Sequence, residues 1–454
     1  MRVCHGLSAR FDDPNLVSCA GLAPVLHLAE RAGLHRLVGE HVEISTPGGV
    51  NAHLKVPALV AGMVAGADSI DDMALLRHGG MDRLFAGVRA PSTLGTFLRA
   101  FTFGHVRQLD AVASRLLVNL TGHTPLLPGA DELAYVDVDD TVRQTYGYAK
   151  QGAGRGYSGV KGLNALIAVV STPSSAPVIA AARLRKGSTN SARGAARLVA
   201  DALITAAKAG ASGLRVLRAD SAFYNHEVIA AAGRQGARFS ITARQDPAIR
   251  RAIAGIDPDA WTTIKYPNAV FDEDQQRWIS DAEVAEIAYT AFRSRAKADH
   301  IHARLIVRRV PDLNPANQSE LFTAYRYHAV FTNSPQPMLE AETAHRAHAI
   351  VEQVIADLKN GPLAHLPSGS FVANSAWLVC AAMAFNLTRA AGALASVFHA
   401  KATTGTIRAQ LINVPARLAR SARRLTLHLP SSWPWEKAWQ QLLDAAAHDP
   451  PRTT

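Results

Sequence analysis

The spacing of apolar residues divides the chain into a helical first part and an alternating second part. From residue 15 to about 125, apolar positions recur with the period of an α-helix, and Gly and Pro separate the segments. From 131 to about 246, three strand-like segments come first, and helical and strand-like segments then alternate. This order is typical of an α/β layer, so the sequence predicts an α/β fold preceded by helices.

The rest of the chain changes pattern twice more. Residues 247 to about 335 are mostly strand-like, with turn residues between the strands, and we interpret them as a β-rich insertion. One long helix is predicted over about 338 to 360, where Gly361 and Pro362 end it, and more helix follows to about 398. The predicted segments are 1–130, helical; 131–246, the first part of the α/β core; 247–335, the insertion; 336–400, the second part of the core; and 401–454, a basic C-terminal segment.

The composition indicates a soluble protein with an acidic partner. Of the 454 residues, 48% are hydrophobic and 19% are charged, and the formal net charge is +11. Such an excess of positive charge attracts polyanions, and nucleic acid is the leading candidate. The three cysteines are far apart and form no Cys-x-x-Cys pair, which favours a reducing compartment such as the cytoplasm. The most apolar later segment, AWLVCAAMAF, has half the length of a membrane span, so we expect no membrane segment.

Carboxylates stand at the ends of two predicted strands. In AYVDVDD, Val136 and Val138 face one side of the strand while Asp137 and Asp139 face the other, because side chains alternate. In GLRVLRADSAFYN, Asp220 closes an apolar strand, and ligand sites of open α/β sheets lie at such strand ends. Buried carboxylates raise each other's pKa unless a cation lies between them. The two strands therefore favour a cation site.

A third acidic residue comes from the predicted helix AETAHRAHAIVEQVIADLKNG. A rotation of about 100° per residue places His345, His348, Glu352 and Lys359 on one narrow stripe of this helix. Mg²⁺ prefers a few carboxylate oxygens together with water and phosphate oxygens, so two strand Asp and one helix Glu would suit it. Each residue alone has an ordinary alternative: an Asp after a strand can cap a turn, and Glu352 with Lys359 can form a solvated helix face. Their combination favours phosphoryl transfer with two metal ions.

Several stretches of the sequence carry the motifs of one family. VDVDDT resembles an Asp-x-Thr strand, LRADSAFYN a strand-end Asp followed by a small residue and an aromatic, and HRAHAIVEQVIADLK a Tyr-x2-Arg-x3-Glu-x6-Lys helix. The chain is thus similar to DDE transposases of bacterial insertion sequences, in the branch with that helix, and APSTLGTFLRAF and FTNSP resemble the same branch. The likeness spans roughly residues 15 to 430. Two positions depart from it, since His345 stands in place of the family's Tyr and His348 in place of its Arg.

The resemblance implies a site and a fold. It implies that Asp139, Asp220 and Glu352 are the catalytic residues and that they bind two Mg²⁺ or Mn²⁺ ions. It further implies Lys359 as a phosphate contact, while Asp137 and Asp140 remain rivals for the first ligand position. The catalytic domain of the family is ribonuclease-H-like, and in this branch a β-rich insertion precedes the Glu. The expected fold is therefore a ribonuclease-H-like α/β core with a β-rich insertion, preceded by an all-helical N-terminal domain that binds DNA ends.

Two stretches are rich in Arg and Lys and contain no acidic residue. The first covers residues 141–200 and the second covers residues 401–433. Such runs are suited to contacts with the phosphate backbone, which position DNA without reading its sequence, although a solvated basic surface is the alternative. Together with the helix stripe they supply the candidate DNA contacts: Arg143, Arg155, Lys161, His345, His348, Lys359, Arg420, Arg423 and Arg424.

The function implied by the resemblance is that of a cytoplasmic, nucleoid-associated DNA transposase. Such an enzyme cleaves at the ends of its insertion sequence and transfers the freed 3′ ends to target DNA. Its partners would be the terminal inverted repeats and the target DNA, and a homodimer is expected because two ends must be paired. Two alternatives remain. One is a nuclease of the same fold that does not transpose, and the other is a DNA-binding protein whose catalysis has decayed.

Overall fold

The structure is a computed structural model that describes residues 1, 6–146, 149–156, 159–272, 277–312, 324–422 and 424–447. Its helices are α1 (Leu22–Arg31), α2 (Leu34–His41), α3 (Ala52–Ala65), α4 (Met81–Leu84), α5 (Pro91–Arg99), α6 (Phe103–His123), α7 (Ala195–Lys208), α8 (His226–Arg234), α9 (Pro247–Ala254), α10 (Met338–Arg346), α11 (Ile350–Lys359), α12 (Phe371–Ala395), α13 (Val397–Lys401), α14 (Thr404–Ile407) and α15 (Glu436–Ala447). Its strands are β1 (Leu16–Val17), β2 (Leu133–Gln144), β3 (Gly154–Arg155), β4 (Lys161–Ser171), β5 (Val178–Lys186), β6 (Leu214–Ala219), β7 (Arg238–Thr242), β8 (Thr262–Asp272), β9 (Arg277–Ala291), β10 (Ile301–Pro311), β11 (Tyr325–Thr332), β12 (Ala416–Ser421) and β13 (Arg424–His428). Together these elements form a mixed α/β protein.

The chain divides into two compact units, and neither is continuous in sequence. Unit 1 comprises residues 1–126, 145–151 and 357–454, and unit 2 comprises residues 127–144 and 152–356. Unit 1 therefore joins the N-terminal helices to the C-terminal segment, which the five predicted segments keep apart. The difference arises because apolar periodicity shows which face of a helix is buried and not which distant helix covers it.

Unit 1 contains a helix that is buried almost throughout. α12 is apolar on every side and packs against α3, α6 and α15. Of the helices in the described part of the chain, α12 alone is long and apolar enough to cross a membrane, and 89% of its most apolar window is buried inside the protein. The helix is longer than the apolar segment noted in the sequence, and its burial is that of a core helix.

The basic C-terminal segment contains β-structure. β12 and β13 form an antiparallel hairpin in which Arg417 lies opposite His428, and β1 pairs with β12. Ala422 in the hairpin turn has a φ angle of 53°, in the left-handed region that tight hairpin turns use. The sequence predicts the positive charge of this segment but not its strands.

Unit 2 contains a mixed sheet with the strand order β3–β4–β2–β6–β7–β11–β10–β9–β8, and β5 also pairs with β4. β2 is antiparallel to β4 and parallel to β6, and β6 is parallel to β7. The strands of the segment interpreted as an insertion continue this sheet, because β11 pairs antiparallel with β7. An edge strand has unpaired backbone groups, which the added strands satisfy. The segment also contains α9, which the sequence pattern did not indicate.

The strand with three Asp does not end at them, in contrast to the prediction. β2 continues to Gln144 through its pairing with β4. The neighbouring β6 ends at Ala219, which lies opposite Val138. Asp139 therefore lies in the middle of β2, beside the point at which the parallel neighbour stops. The sequence suggested a strand end because Asp is unfavourable in strands.

The helix predicted over residues 338 to 360 is interrupted. α10 ends at Arg346, residues 347–349 form a 3₁₀ turn, and α11 begins at Ile350. At the break, His348 Nδ1 donates a hydrogen bond to the carbonyl of His345 at 2.7 Å, so a side chain occupies a backbone acceptor of the helix. The stripe expected from an unbroken α-helix is therefore offset between His345 and Glu352, since a 3₁₀ turn has about three residues per turn.

Candidate active site

Two carboxylates lie on adjacent parallel strands. The register of β2 and β6 pairs Val138 with Ala219. Asp139 and Asp220 are the residues that come directly after this pair. Asp220 follows β6 directly and caps a 3₁₀ turn, where its Oδ1 accepts a hydrogen bond from the N–H of Ala222 at 3.0 Å. The turn therefore holds Asp220 at the carboxyl end of β6, where ligand sites of parallel strands are found.

Asp139 is surrounded by like charge. Its pKa is raised to about 7, first by burial and then by the carboxylates of Asp220, Asp140 and Glu352. A hydrogen bond of 2.7 Å from the N–H of Asp140 to Asp139 Oδ1 acts in the opposite direction. The pKa of Asp220 is also raised, by burial and by the charge of Asp140. Carboxylates in this situation favour a cation between them.

The third carboxylate belongs to the first turn of α11. Glu352 is exposed, and its charge contributes to the raised pKa of Asp139. Asp139, Asp220 and Glu352 are far apart in sequence, and unit 2 contains all three. The three residues implied by the family resemblance are thus linked through Asp139, whose pKa both of the others raise.

These neighbours do not form a complete ligand set. Among the side chains that the structure describes, no three from His, Cys, Asp and Glu lie close enough to hold one metal ion. The chemistry of the three carboxylates nevertheless fits a hard cation, because Mg²⁺ and Mn²⁺ prefer carboxylate oxygens. A cation would also reduce the repulsion that raises the pKa of Asp139. The types of residue present are therefore suitable for Mg²⁺ or Mn²⁺.

Asp137, a rival for the first ligand position, is paired with an arginine. Its side chain is completely buried. Arg218 donates hydrogen bonds to both of its oxygens, from Nε to Oδ1 at 2.6 Å and from Nη2 to Oδ2 at 2.7 Å. Bidentate pairs of this kind are among the stronger hydrogen-bonded contacts in proteins. Asp137 therefore anchors an ion pair between β2 and β6.

Asp140, the other rival, lies in a second buried network. It is paired with Arg185, and it accepts hydrogen bonds from Asn164 Nδ2 at 2.5 Å and from Ser191 Oγ at 3.0 Å. Arg185 Nη1 also donates to the carbonyls of Ser191 at 2.7 Å and of Arg193 at 2.8 Å. Asp140 therefore stabilises the connection between β5 and α7.

His345 lies in the interior of unit 2. It is 4% exposed, and its ring nitrogens form hydrogen bonds with Ser240 Oγ at 3.0 Å and Thr242 Oγ1 at 2.9 Å. This position argues against the predicted contact between His345 and DNA. That prediction assumed an unbroken helix, whereas the ring is directed at β7. His348 is half-buried, and its ring centre lies 4.8 Å from that of His345.

The remaining candidate DNA contacts differ in exposure. The exposed ones are Arg155, Arg420 and Arg424, and the half-buried ones are Arg143, Lys161 and Lys359. Arg420 and Arg424 lie on the β12–β13 hairpin of unit 1. Arg423 lies outside the described residues. The contact of these residues with DNA stays a prediction.

The residues predicted for the site do not include Arg218 and Arg185, two buried arginines that neutralise carboxylates of β2. Arg218 has a recognisable signal, because a charged residue is unusual in an apolar strand such as GLRVLRAD. It precedes Asp220 by two residues, as Asp137 precedes Asp139. Arg185 has no such signal, because it stands in the basic run RLRK, where a buried arginine cannot be told from an exposed one.

Comparison with known proteins identifies the family of the chain. A family model described as transposase DDE domain group 1 matches residues 4–450. A search of curated proteins found no match. The family match covers nearly the whole chain and includes the strands and helices that carry Asp139, Asp220 and Glu352. The predicted resemblance to DDE transposases is confirmed, and the chain belongs to that family.

Proposed function

We propose that the protein is the transposase of a bacterial insertion sequence, which cleaves phosphodiester bonds at the ends of the element and joins the 3′ ends to target DNA. The observation that carries this proposal is that Asp139 and Asp220 come directly after the paired residues Val138 and Ala219 of β2 and β6, in a chain of the DDE transposase family. Family membership alone implies a nuclease or transposase in general. The three carboxylates supply the chemistry for the cleavage step.

Asp139, Asp220 and Glu352 are the proposed catalytic residues and metal ligands. Support for Asp139 as the first ligand comes from its two rivals. Asp137 and Asp140 are each held by a buried arginine, and such a pair is costly to break. Asp139 instead lies among carboxylates, and a metal ion would relieve their repulsion.

The chain's own contribution to the chemistry is to hold three oxygen donors. When bound, two Mg²⁺ or Mn²⁺ ions would activate the attacking oxygen and stabilise the leaving oxygen of phosphoryl transfer. The sheet holds Asp139, and the capped turn after β6 holds Asp220. Both strand ligands are therefore preorganised. Glu352, exposed on α11, would be the third donor.

The proposed fold and partners follow the same family. The antiparallel strands β5, β4 and β2, followed by the parallel strands β6 and β7, support a ribonuclease-H-like core. The N-terminal helices would bind the terminal repeats, and the basic residues Arg143, Arg155 and Lys161 would contact phosphates. A homodimer would pair the two ends, and the protein would act in the cytoplasm, at the nucleoid.

The test is a cleavage and strand-transfer assay with the purified protein. Duplexes that carry the repeats flanking the gene are incubated with Mg²⁺, and duplexes with a pre-cut 3′ end are incubated with a target plasmid. We expect metal-dependent cleavage at the repeat and joining of the pre-cut end. Asp139→Asn, Asp220→Asn and Glu352→Gln should each abolish both steps while binding of the repeat is retained.

The two alternatives give different results in the same assay. A nuclease that does not transpose would cleave without joining the pre-cut end to the plasmid. A decayed DNA-binding protein would bind the repeat and show no metal-dependent nicking. Either result would overturn the proposed function.

A further inference from the structure

Arg218 of β6 contacts two other elements of unit 2. Besides its bidentate pair with Asp137 of β2, it donates a hydrogen bond from Nη1 to the carbonyl of Ala344 at 2.6 Å. Ala344 is in the last turn of α10. The guanidinium carbon lies 3.8 Å from the centre of the Tyr135 ring, and Arg218 is 2% exposed. One buried side chain on β6 therefore joins β2 to α10.

The contacts of Arg218 lie directly beside the candidate site. Side chains two residues apart in a strand face the same side of the sheet. Arg218 is therefore on the same face as Asp220, and its partner Asp137 is on the same face as Asp139. The register pairs Asp137 with Arg218, so this ion pair is the next layer of side chains below the two strand carboxylates.

The contact with Ala344 lies on the helix that precedes the third carboxylate in sequence. Residues 347–349 form the 3₁₀ turn that follows α10, and Glu352 lies in the first turn of α11. The last carbonyls of an α-helix lack N–H partners within the helix, and this end carries partial negative charge. The guanidinium of Arg218, which binds the carbonyl of Ala344, therefore holds α10 at its C-terminal end. This end comes immediately before the segment that leads to Glu352.

Arginine is suited to this arrangement, and lysine is not. The guanidinium has five N–H donors in a rigid plane, so it can bind two carboxylate oxygens and a carbonyl at once. A lysine ammonium could neutralise Asp137, but it lacks the planar fork and cannot reproduce the bidentate pair together with the contact to Ala344. Lysine in place of Arg218 would therefore keep the neutralisation of Asp137 and lose the positioning of α10.

We propose that Arg218 is a positioning residue that fixes the junction of α10 and α11, and with it the position of Glu352 relative to Asp139 of β2 and Asp220 after β6. The inference rests on the proposed function, because it assigns Arg218 to the same site. Arg218 touches neither DNA nor metal in this role. It acts by holding a ligand-bearing helix on the strands that carry the other two ligands.

The first experiment compares Arg218→Lys with Arg309→Lys. Arg309 is the matched control, because its Nε donates to Glu283 at 2.7 Å and ties β10 to β9 in the same unit. For Arg218→Lys we expect Mn²⁺ affinity, measured by calorimetry without DNA, and DNA cleavage each to fall about tenfold, as for other residues that orient metal ligands. Hydrogen exchange of the amides from 344 to 352 should become faster. Arg309→Lys should leave all three unchanged.

A second variant keeps the test valid if Arg218→Lys folds poorly. Asp137→Leu combined with Arg218→Met replaces the ion pair with apolar side chains of similar volume, a change that proteins often tolerate. This pair should show the same loss of Mn²⁺ affinity and the same faster exchange. Wild-type Mn²⁺ affinity and wild-type exchange in both variants would overturn the inference.

Failure of the proposed function would be recognised separately. If the wild-type protein neither binds Mn²⁺ nor cleaves DNA, the proposed function is wrong. Hydrogen exchange from 344 to 352 would still decide whether Arg218 fixes the junction, because it does not depend on metal or activity. If hydrogen exchange of these amides is unchanged in Arg218→Lys, Arg218 does not fix the junction.

Discussion

Asp140 and Arg185 form a buried ion pair one residue away from Asp139. Their side chains are 4% and 6% exposed. Because side chains alternate along β2, the adjacent carboxylates of Asp139 and Asp140 project to opposite faces of the sheet. One is neutralised by an arginine, and the other lies near Asp220 and Glu352. The carboxylate in the buried ion pair and the carboxylate proposed as a metal ligand are therefore different residues of one strand.

Replacement of Asp140 should lower stability, and replacement of Asp139 should not. Asp140→Asn leaves the buried Arg185 without its counter-charge, which we expect to lower the free energy of unfolding by about 3 kcal/mol. Asp139→Asn removes a carboxylate from a group of like charges, so its unfolding free energy should equal or exceed that of the wild type. Urea unfolding of the two variants measures the difference. Equal stabilities would show that the Arg185 pair does not hold this strand.

Divalent metal should stabilise the folded protein without DNA. A ligand that binds only the folded state adds about 2.7 kcal/mol at a concentration of about 100 times its Kd. We therefore expect the thermal midpoint to rise with Mn²⁺ or Mg²⁺ in the wild type and to stay constant in Asp220→Asn. Asp201→Asn, which alters a carboxylate paired with Arg183 and Arg197, is the matched control and should keep the rise. A rise of equal size in Asp220→Asn would remove that residue from the ligand set.

Acid should destabilise the protein through His345. Burial lowers its pKa well below the usual value, and the nearby charges of His348, Arg218 and Arg308 act in the same direction. The unfolded chain binds a proton near pH 6.5 and the folded protein does not, so stability falls as pH drops below about 6.5. The slope contributed by one such group approaches about 1.4 kcal/mol per pH unit.

The measurement is urea unfolding between about pH 7 and pH 5, for the wild type and for His345→Gln. The glutamine side chain has no proton to gain, so the variant should lose the slope due to this residue. The remaining slope comes from other groups and should be shared by both proteins. If the slope of unfolding free energy against pH is the same in both proteins, His345 is not the group that titrates.

The β12–β13 hairpin should bind DNA through phosphates. Arg420 and Arg424 are exposed on it, whereas Arg417 forms an ion pair with Asp13 at 3.2 Å. Each phosphate contact that is lost should reduce the slope of log affinity against log salt by about 0.9 for duplex DNA. Arg420→Ala with Arg424→Ala should therefore flatten this slope and weaken binding to repeat and unrelated DNA by similar factors.

Arg417→Ala is the matched control on the same hairpin. Because Arg417 already has an acidic partner, its removal should change the salt slope less than removal of the other two arginines. Affinities at several salt concentrations test both variants. An unchanged slope in the double variant would exclude the hairpin from the DNA surface, and a loss confined to the repeat would show that it reads sequence.

The candidate carboxylates could be predicted from sequence because their signals are local. An Asp-x-Thr strand, an Asp that closes an apolar strand and a Glu on a helix are each visible within a few residues. The family match confirmed that the chain is a DDE transposase. The partners of the neighbouring Asp137 and Asp140 could not be found in this way, because Arg218 and Arg185 are distant in sequence.

The break between α10 and α11 illustrates the limit of periodicity. Helical periodicity predicts one helix over residues 338 to 360, and a regular α-helix would place His345 beside Glu352. In the structure, His348 binds a backbone carbonyl, Arg218 binds the carbonyl of Ala344, and His345 is buried against β7. Such contacts therefore decide where the helix ends, and they change which side chains share a face with Glu352.

By itself the sequence determined the α/β class, the positions of the carboxylates and the family, since these depend on residue order and local spacing. The tertiary structure alone decided which Asp of β2 is neutralised by arginine, that the strands of 247–335 continue the main sheet, and that the N-terminal and C-terminal helices share a unit. The physical reason is that burial and charge pairing depend on residues that meet only after folding. An isolated Asp has the same chemistry in every strand, and its neighbours decide whether it is an anchor or a ligand.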